Sequence, residues 1–243
     1  MLNFGPRGEN IIDTLNALFA ATVLFVAGHF VLSSQPVRLV LVGKLGETRF
    51  LTLYSIAMLV VFAWMIFAFV QAPADPIWTT PTALLWLPAA AMPIAIFLIV
   101  CGLSTPSPTL AGTKLDEPGP DLTRGIMRVT RHPFLNGMSL WALVHLISNG
   151  DTRSIILFAG MLVLTIGGMW HIDKRREYHY GADWGPVMLT TSAVPFVALL
   201  AKRTSMDWAG IGWWRLLLSA AIYLALVAAH PFILGEPAWP GLG

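Results

Sequence analysis

Long apolar runs separated by short polar stretches make up most of this chain. Several of them approach or exceed the roughly 18–20 residues that carry a helix across a bilayer, and six are read as spans. They predict spans at 11–33, 50–72, 82–103, 134–148, 155–170 and 211–232. Punctuation fixes most of the ends. Pro36 stops the first run, "APADP" ends the second, and Asn149-Gly150 offers a left-handed stop to the fourth. Asp151 or Thr152 is placed to cap the fifth. The third run holds Pro88 and Pro93, which a membrane helix accommodates with a kink. A seventh apolar stretch, 187–201, is only about fifteen residues long and contains Pro195. It is too short for a span and reads as re-entrant or interfacial. The expected fold is therefore all-α: a polytopic integral membrane bundle of about six helices plus this short segment, forming one domain over 1–243.

Composition agrees. The chain is 56% hydrophobic and 12% charged, about half the charge of an ordinary soluble domain. The first run is longer than a signal-peptide core and lacks a basic leader, so it reads as a retained helix. The net charge of +2 is too small to suggest nucleic acid. One cysteine, Cys101, excludes a disulfide framework and a zinc knuckle. With the amino terminus outside, twelve of the fifteen Lys and Arg residues fall on the inner side and two on the outer. That bias holds only if 187–201 returns to the side it left. Both termini then lie outside, on the periplasmic side of a bacterial inner membrane.

Six histidines carry the candidate chemistry. Imidazoles at membrane depth are costly and need a partner or a task. His179 lies in the polar "KRREYHYGADW" stretch and reads as solvated. His171 and His230 sit at span ends, where headgroups or the helix dipole satisfy them. His132, before Pro133 at the start of the fourth helix, either faces headgroups or, with Arg128 and Arg131, meets a ligand's polar end. His29 ("VAGHF") and His145 ("ALVHL") lie within apolar runs with no acid beside them. Each is either hydrogen-bonded across helices or ligates a metal; haem iron suits a neutral imidazole in apolar surroundings. His132 and His145 are about 19 Å apart along one helix, so they cannot share an iron. Depth alone pairs His29 with His132 or His171, and His145 with His230. Met138, Trp141 and His145 form one stripe, beside the small Gly137 and Ser139. Such a stripe serves plain helix packing or walls a flat ligand.

Five pieces of sequence carry a family likeness: "GHF" at His29, "VGKLGETRFLTLYSIAMLVVF", "GIMRVTRHPFLNGMSLWALVHLISNGD", "WHIDKRREYHYGADW" and "TTSAVPF". Through them the chain resembles the NnrU family, related to plant and cyanobacterial 15-cis-zeta-carotene isomerase, over most of residues 28–197. The resemblance implies a haem b membrane protein whose axial iron ligands match His29 and His145, with Arg128, Arg131 and His132 as candidate holders of the haem propionates. It implies either a redox-gated cis–trans isomerase of a polyene or a membrane factor linked to denitrification that meets nitrite or nitric oxide. The expected partners are the lipid bilayer, a hydrophobic substrate such as a polyene or a small gas ligand, and an electron donor of unstated identity. Trp170-His171 ahead of "DKRR", and the final span, depart from the plant enzyme's pattern, so the substrate does not carry over.

Two rival classes share some residues. "RHPFLNG" and "REYHYGADW" partly match membrane methyltransferases of the isoprenylcysteine and phospholipid type, in which Arg131, His132 and Glu177 would contact S-adenosylmethionine. That class has no use for His145 in mid-span. A non-enzymatic membrane subunit or assembly factor would use the histidines structurally.

Overall fold

The structure, a computed structural model, describes residues 6–107, 109, 123–235 and 237–239, with side chains from residue 13 onward. The terminal residues on which the outside placement of both ends rests, and 110–122 of the polar stretch between the third and fourth runs, lie outside these.

The described chain is helical: α1 (Pro6–Ser33), α2 (Gln35–Leu45), α3 (Glu47–Gln71), α4 (Thr82–Leu85), α5 (Leu87–Ser104), α6 (Pro133–Ser148), α7 (Thr152–Tyr180), α8 (Gly185–Thr190), α9 (Val197–Leu200), α10 (Trp208–Ile211) and α11 (Trp213–Leu234). Among the described residues, five stretches are long and apolar enough to cross a membrane: Asp13–Ser33, Glu47–Gln71, Thr82–Ser104, Thr152–Thr190 and Trp213–Leu234. Pro133–Ser148 is the sixth apolar helix and is shorter. This is an all-α integral membrane protein. Exposed apolar side chains such as Leu59, Phe67 and Leu217 cover the helices, as a lipid solvent permits.

Local sequence explains most of the boundaries. Ser34 has an extended ψ of 143° and Pro36 opens α2, so the first helix breaks there. Pro88 does not kink a continuous helix. It sits in the first turn of α5, after a break at Trp86, where its missing N–H costs nothing. Pro93 stays inside α5. Helix α7 runs ten residues beyond the predicted 155–170, because the charged Lys174–Arg176 segment remains helical once it leaves the apolar region.

The chain divides into two compact units, 1–84 with 145–164, and 85–144 with 165–243. In the first, α1 and α3 lie antiparallel: Phe25 meets Phe62 at 5.6 Å, and Gly28 gives space to Met58. Gly160 of α7 does the same for Thr22 of α1. Gly150 adopts φ +79° and accepts the N–H groups of Ile77 and Trp78 at its carbonyl. A side chain there would sit 2.7 Å from the Trp78 carbonyl oxygen, so only glycine fits. Asp151 Oδ1 accepts the Ser154 N–H at 3.0 Å and caps α7.

In the second unit, Gly137 of α6 lies against the α5 backbone: a Cβ there would be 2.6 Å from the Ala95 carbonyl oxygen. Arg215, near the start of α11, donates to Ser104 Oγ at 2.7 Å and to the Ser104 carbonyl at 2.9 Å, satisfying the end of α5. Asp207 accepts the N–H groups of Gly125 and Gly210 at 2.8 and 2.9 Å. The stretch 187–201 does not form one helix. It breaks into α8, a turn and α9, and Arg203 folds it back by donating to the carbonyls of Met188, Leu189 and Thr191. Phe196 in that turn has φ 67°, a left-handed backbone that costs a non-glycine residue about 1–2 kcal/mol.

Candidate cofactor and ligand site

Of the six histidines, only His29 and His145 belong to the first unit. His29, half-buried on α1, hydrogen-bonds through Nδ1 to the Phe25 carbonyl at 2.7 Å. A carbonyl only accepts, so Nδ1 carries a proton, and in the neutral ring the lone pair is then on Nε2. This is the tautomer a metal requires, with the second nitrogen already oriented. The ring stands edge-on to Phe25 at 4.5 Å and to Tyr54 of α3 at 5.8 Å. Ser33 Oγ donates to the His29 carbonyl. His145, half-buried on α6, lies 5.2 Å from the Phe158 ring of α7. One turn of α7 thus touches the carriers of both imidazoles, His145 through Phe158 and α1 through Gly160 against Thr22 and Val26.

The donors are of the kind a haem takes: the rings beside them are aromatic, and in the neutral His29 ring the proton on Nδ1 leaves Nε2 with its lone pair. Among the described residues no group of three or more His, Cys, Asp or Glu could hold a metal ion. A porphyrin brings four donors of its own and asks the protein for only one or two.

The second unit gathers a different set. Arg131 grips Asp173 with a fork, Nε at 3.0 and 2.9 Å and Nη2 at 2.6 Å. His132, its side chain fully buried, reaches Asp173 Oδ1 through Nε2 at 2.9 Å. With Nε2 donating to the carboxylate, Nδ1 faces a buried interior without a partner among the described residues. Asn136 follows one turn on. Its Nδ2 donates to Thr130 Oγ1, to the Ala193 carbonyl and to Met169 Sδ. Ser139 then donates to Thr165 Oγ1 at 2.8 Å. His132, Asn136 and Ser139 therefore face Asp173, Met169 and Thr165 in three polar layers between antiparallel α6 and α7.

Of the five residues singled out in the sequence, His29 and His145 share one unit, while Arg128, Arg131 and His132 share the other. Arg131 and His132 are both engaged by Asp173. Arg128 holds the Thr123 carbonyl and Ser205. Gly137, read as possible room for a flat ring, is filled by α5. Glu177 pairs with Lys174 at 2.8 Å in the open, 59% exposed, while Arg131 and His132 turn inward; the arrangement does not assemble the methyltransferase trio. Sequence reading missed Asp173 as their partner and Asn136 altogether. Polar residues at i, i+4 and i+7 from His132 (Asn136 and Ser139), facing Thr165 and Asp173 two turns apart on α7, were the signal that could have found them.

The fold and this arrangement define a polytopic α-helical membrane protein with two intramembrane imidazoles in one unit. The family model described as "NnrU protein" matches residues 17–238, and the chain belongs to that family. It is similar to the 15-cis-zeta-carotene isomerase, chloroplastic, of Arabidopsis thaliana, 35% identical over 79 residues, covering 32% of this chain and 22% of that protein. The Zea mays protein of the same name is 32% identical over 82 residues, covering 34% of this chain and 22% of its own length. The chain thus spans about a fifth of the length of these curated relatives. No solved structure matches it.

Proposed function

We propose that this chain is a haem b-binding membrane protein that acts as a cis–trans isomerase on a hydrophobic polyene, with His29 and His145 as the residues that would hold the iron. The observation that carries the reading is the His29 Nδ1–Phe25 carbonyl bond, which fixes the neutral tautomer and leaves Nε2 open in the unit that also holds His145. A haem held there would supply a one-electron couple and a Lewis-acidic iron. The protein's own residues do the rest. Phe25 orients the His29 ring, while Phe25 and Tyr54 line it and keep water away. Phe158 packs on the His145 ring and holds it in place. These walls are aromatic and apolar, which favours a polyene over nitrite, an anion that a cationic side chain would be needed to hold. The names of the plant relatives point the same way.

The charge asymmetry supports both termini lying opposite the basic loops, periplasmic in a bacterial inner membrane. The named relatives are chloroplastic; in a plastid membrane the same asymmetry would put the basic loops in the stroma.

The test is colour. Protein purified in detergent shows a Soret band that sharpens on reduction. His29→Ala and His145→Ala each shift or abolish it, and His179→Ala leaves it unchanged. Parent spectra in all three variants would reject the assignment.

A further inference from the structure

We propose that the turn 194–200 is a wedge seated in the acyl–headgroup boundary of the bilayer, so that phospholipid forms the outer wall of the Arg131–His132–Asp173 cluster. The two non-glycine residues with positive φ among the described chain, Phe196 and Lys202, both belong to this loop. A left-handed backbone at a phenylalanine persists only where the surroundings enforce it. Here the Phe196 N–H donates to the Val129 carbonyl at 2.8 Å, and the Ala198 N–H to Ser192 Oγ at 3.0 Å. The result turns apolar side chains outward rather than inward: Val194 is 63% exposed, Phe196 53% and Leu200 81%.

What covers them follows from their neighbours. Lys202, next along the chain and exposed, suits lipid phosphate. Trp208, between the loop and the lipid-facing helix α11, and Trp213, the first residue of α11, are each 73% exposed, at the place where tryptophans mark the membrane interface. Arg203 is spent inward on the Met188, Leu189 and Thr191 carbonyls, so the fold-back that presents the tip is built into the loop. Leu189 and Val197 of the same segment are exposed with them. Apolar side chains flanked by an exposed lysine and a tryptophan match the acyl–headgroup boundary of a bilayer.

The same loop closes over the buried cluster. Ser192 accepts the Arg131 N–H, and Ala193 accepts Thr130 Oγ1 and Asn136 Nδ2. Lipid pressing on 194–200 therefore bears on 129–136 through backbone hydrogen bonds.

The test uses the full chain with Cys101→Ala and one reporter cysteine, labelled with an environment-sensitive fluorophore and placed in phosphatidylcholine–phosphatidylglycerol vesicles. The reporters are Phe196→Cys and Leu200→Cys. Leu217→Cys is the lipid reference, and Lys174→Cys the aqueous one. Quenching by lipids carrying a shallow nitroxide is expected to reach at least half the Leu217 value at both reporters, with iodide quenching under half the Lys174 value. Leu200 ends the one-turn helix α9 and is not one of the two positive-φ positions, so the substitution adds no left-handed strain and its result decides. Failure of either criterion there overturns the proposal. This outcome is independent of whether haem is bound.

Discussion

His132 Nε2 lies 2.9 Å from Asp173 Oδ1, and Arg131 closes on the same carboxylate from the neighbouring position. One acid thus neutralises a buried cation and fixes the tautomer of a buried imidazole. Arg131 and Asp173 side chains are 8% and 13% exposed. Breaking one side of such a pair strands a charge, at a cost of about 3–5 kcal/mol. Asp173→Ala and Arg131→Ala should each lower the thermal unfolding midpoint in detergent strongly. The double variant should lose clearly less than the two losses combined. Additive losses would show that the fork carries no net stabilisation.

Two glycine substitutions should move stability in opposite directions. Gly137→Ala drives a methyl into the Ala95 carbonyl, a backbone atom that cannot swing aside. It should destabilise by about 1–3 kcal/mol. Gly43→Ala in α2 meets nothing within 4 Å, and should stabilise by up to about 1 kcal/mol through helix propensity. Differential melting of the two variants beside the parent checks both signs.

Acid should loosen the link between Gly125 and α10. The N–H groups of Gly125 and Gly210 hold the Asp207 carboxyl below the usual carboxylate range. A carboxylate depressed in the folded state contributes stability above its unfolded value, about 3.9, and loses it as pH falls through the lower folded value. The parent should therefore lose more of its melting temperature below about pH 4 than Asp207→Asn does, while above that pH the parent is the more stable. Parallel pH–melting curves would reject this role.

Arg153 and Lys174 stand near opposite ends of α7. Their separation along the helix is about 31 Å, close to the hydrocarbon thickness of a bilayer. Arg153→Cys and Lys174→Cys, each in Cys101→Ala protein, should react with an impermeant thiol reagent from opposite sides of sealed vesicles. Labelling of both from one side would show that α7 does not span.

Much of the fold was legible because its signals are local. Asn149-Gly150 announces a left-handed stop and Asp151 a cap, and both need only neighbouring residues. Pro36 likewise stops the first run, though the helix it opens, α2, was not read from the sequence. Pro88 was half-legible: proline marks the spot, but only the fold decides between a kink and a fresh start. The Asp173 clamp was not legible, since Arg131 and His132 lie 42 and 41 positions away. Their pairing depends on the antiparallel register of α6 and α7, which hydropathy does not encode. The segment 187–201 announced its shortness but not its fold-back, which depends on Arg203 reaching three carbonyls. His29 stood out as an imidazole in a greasy run, yet its tautomer emerged only with the Phe25 carbonyl.

Helix α6 has 16 residues, a rise of about 24 Å against a hydrocarbon slab of about 30 Å. The membrane must pinch beside it, or its ends must draw polar groups below the surface. Either response makes hydrophobic mismatch part of this protein's energetics, so it should favour bilayers of shorter acyl chains and partition away from thick, sterol-rich ones.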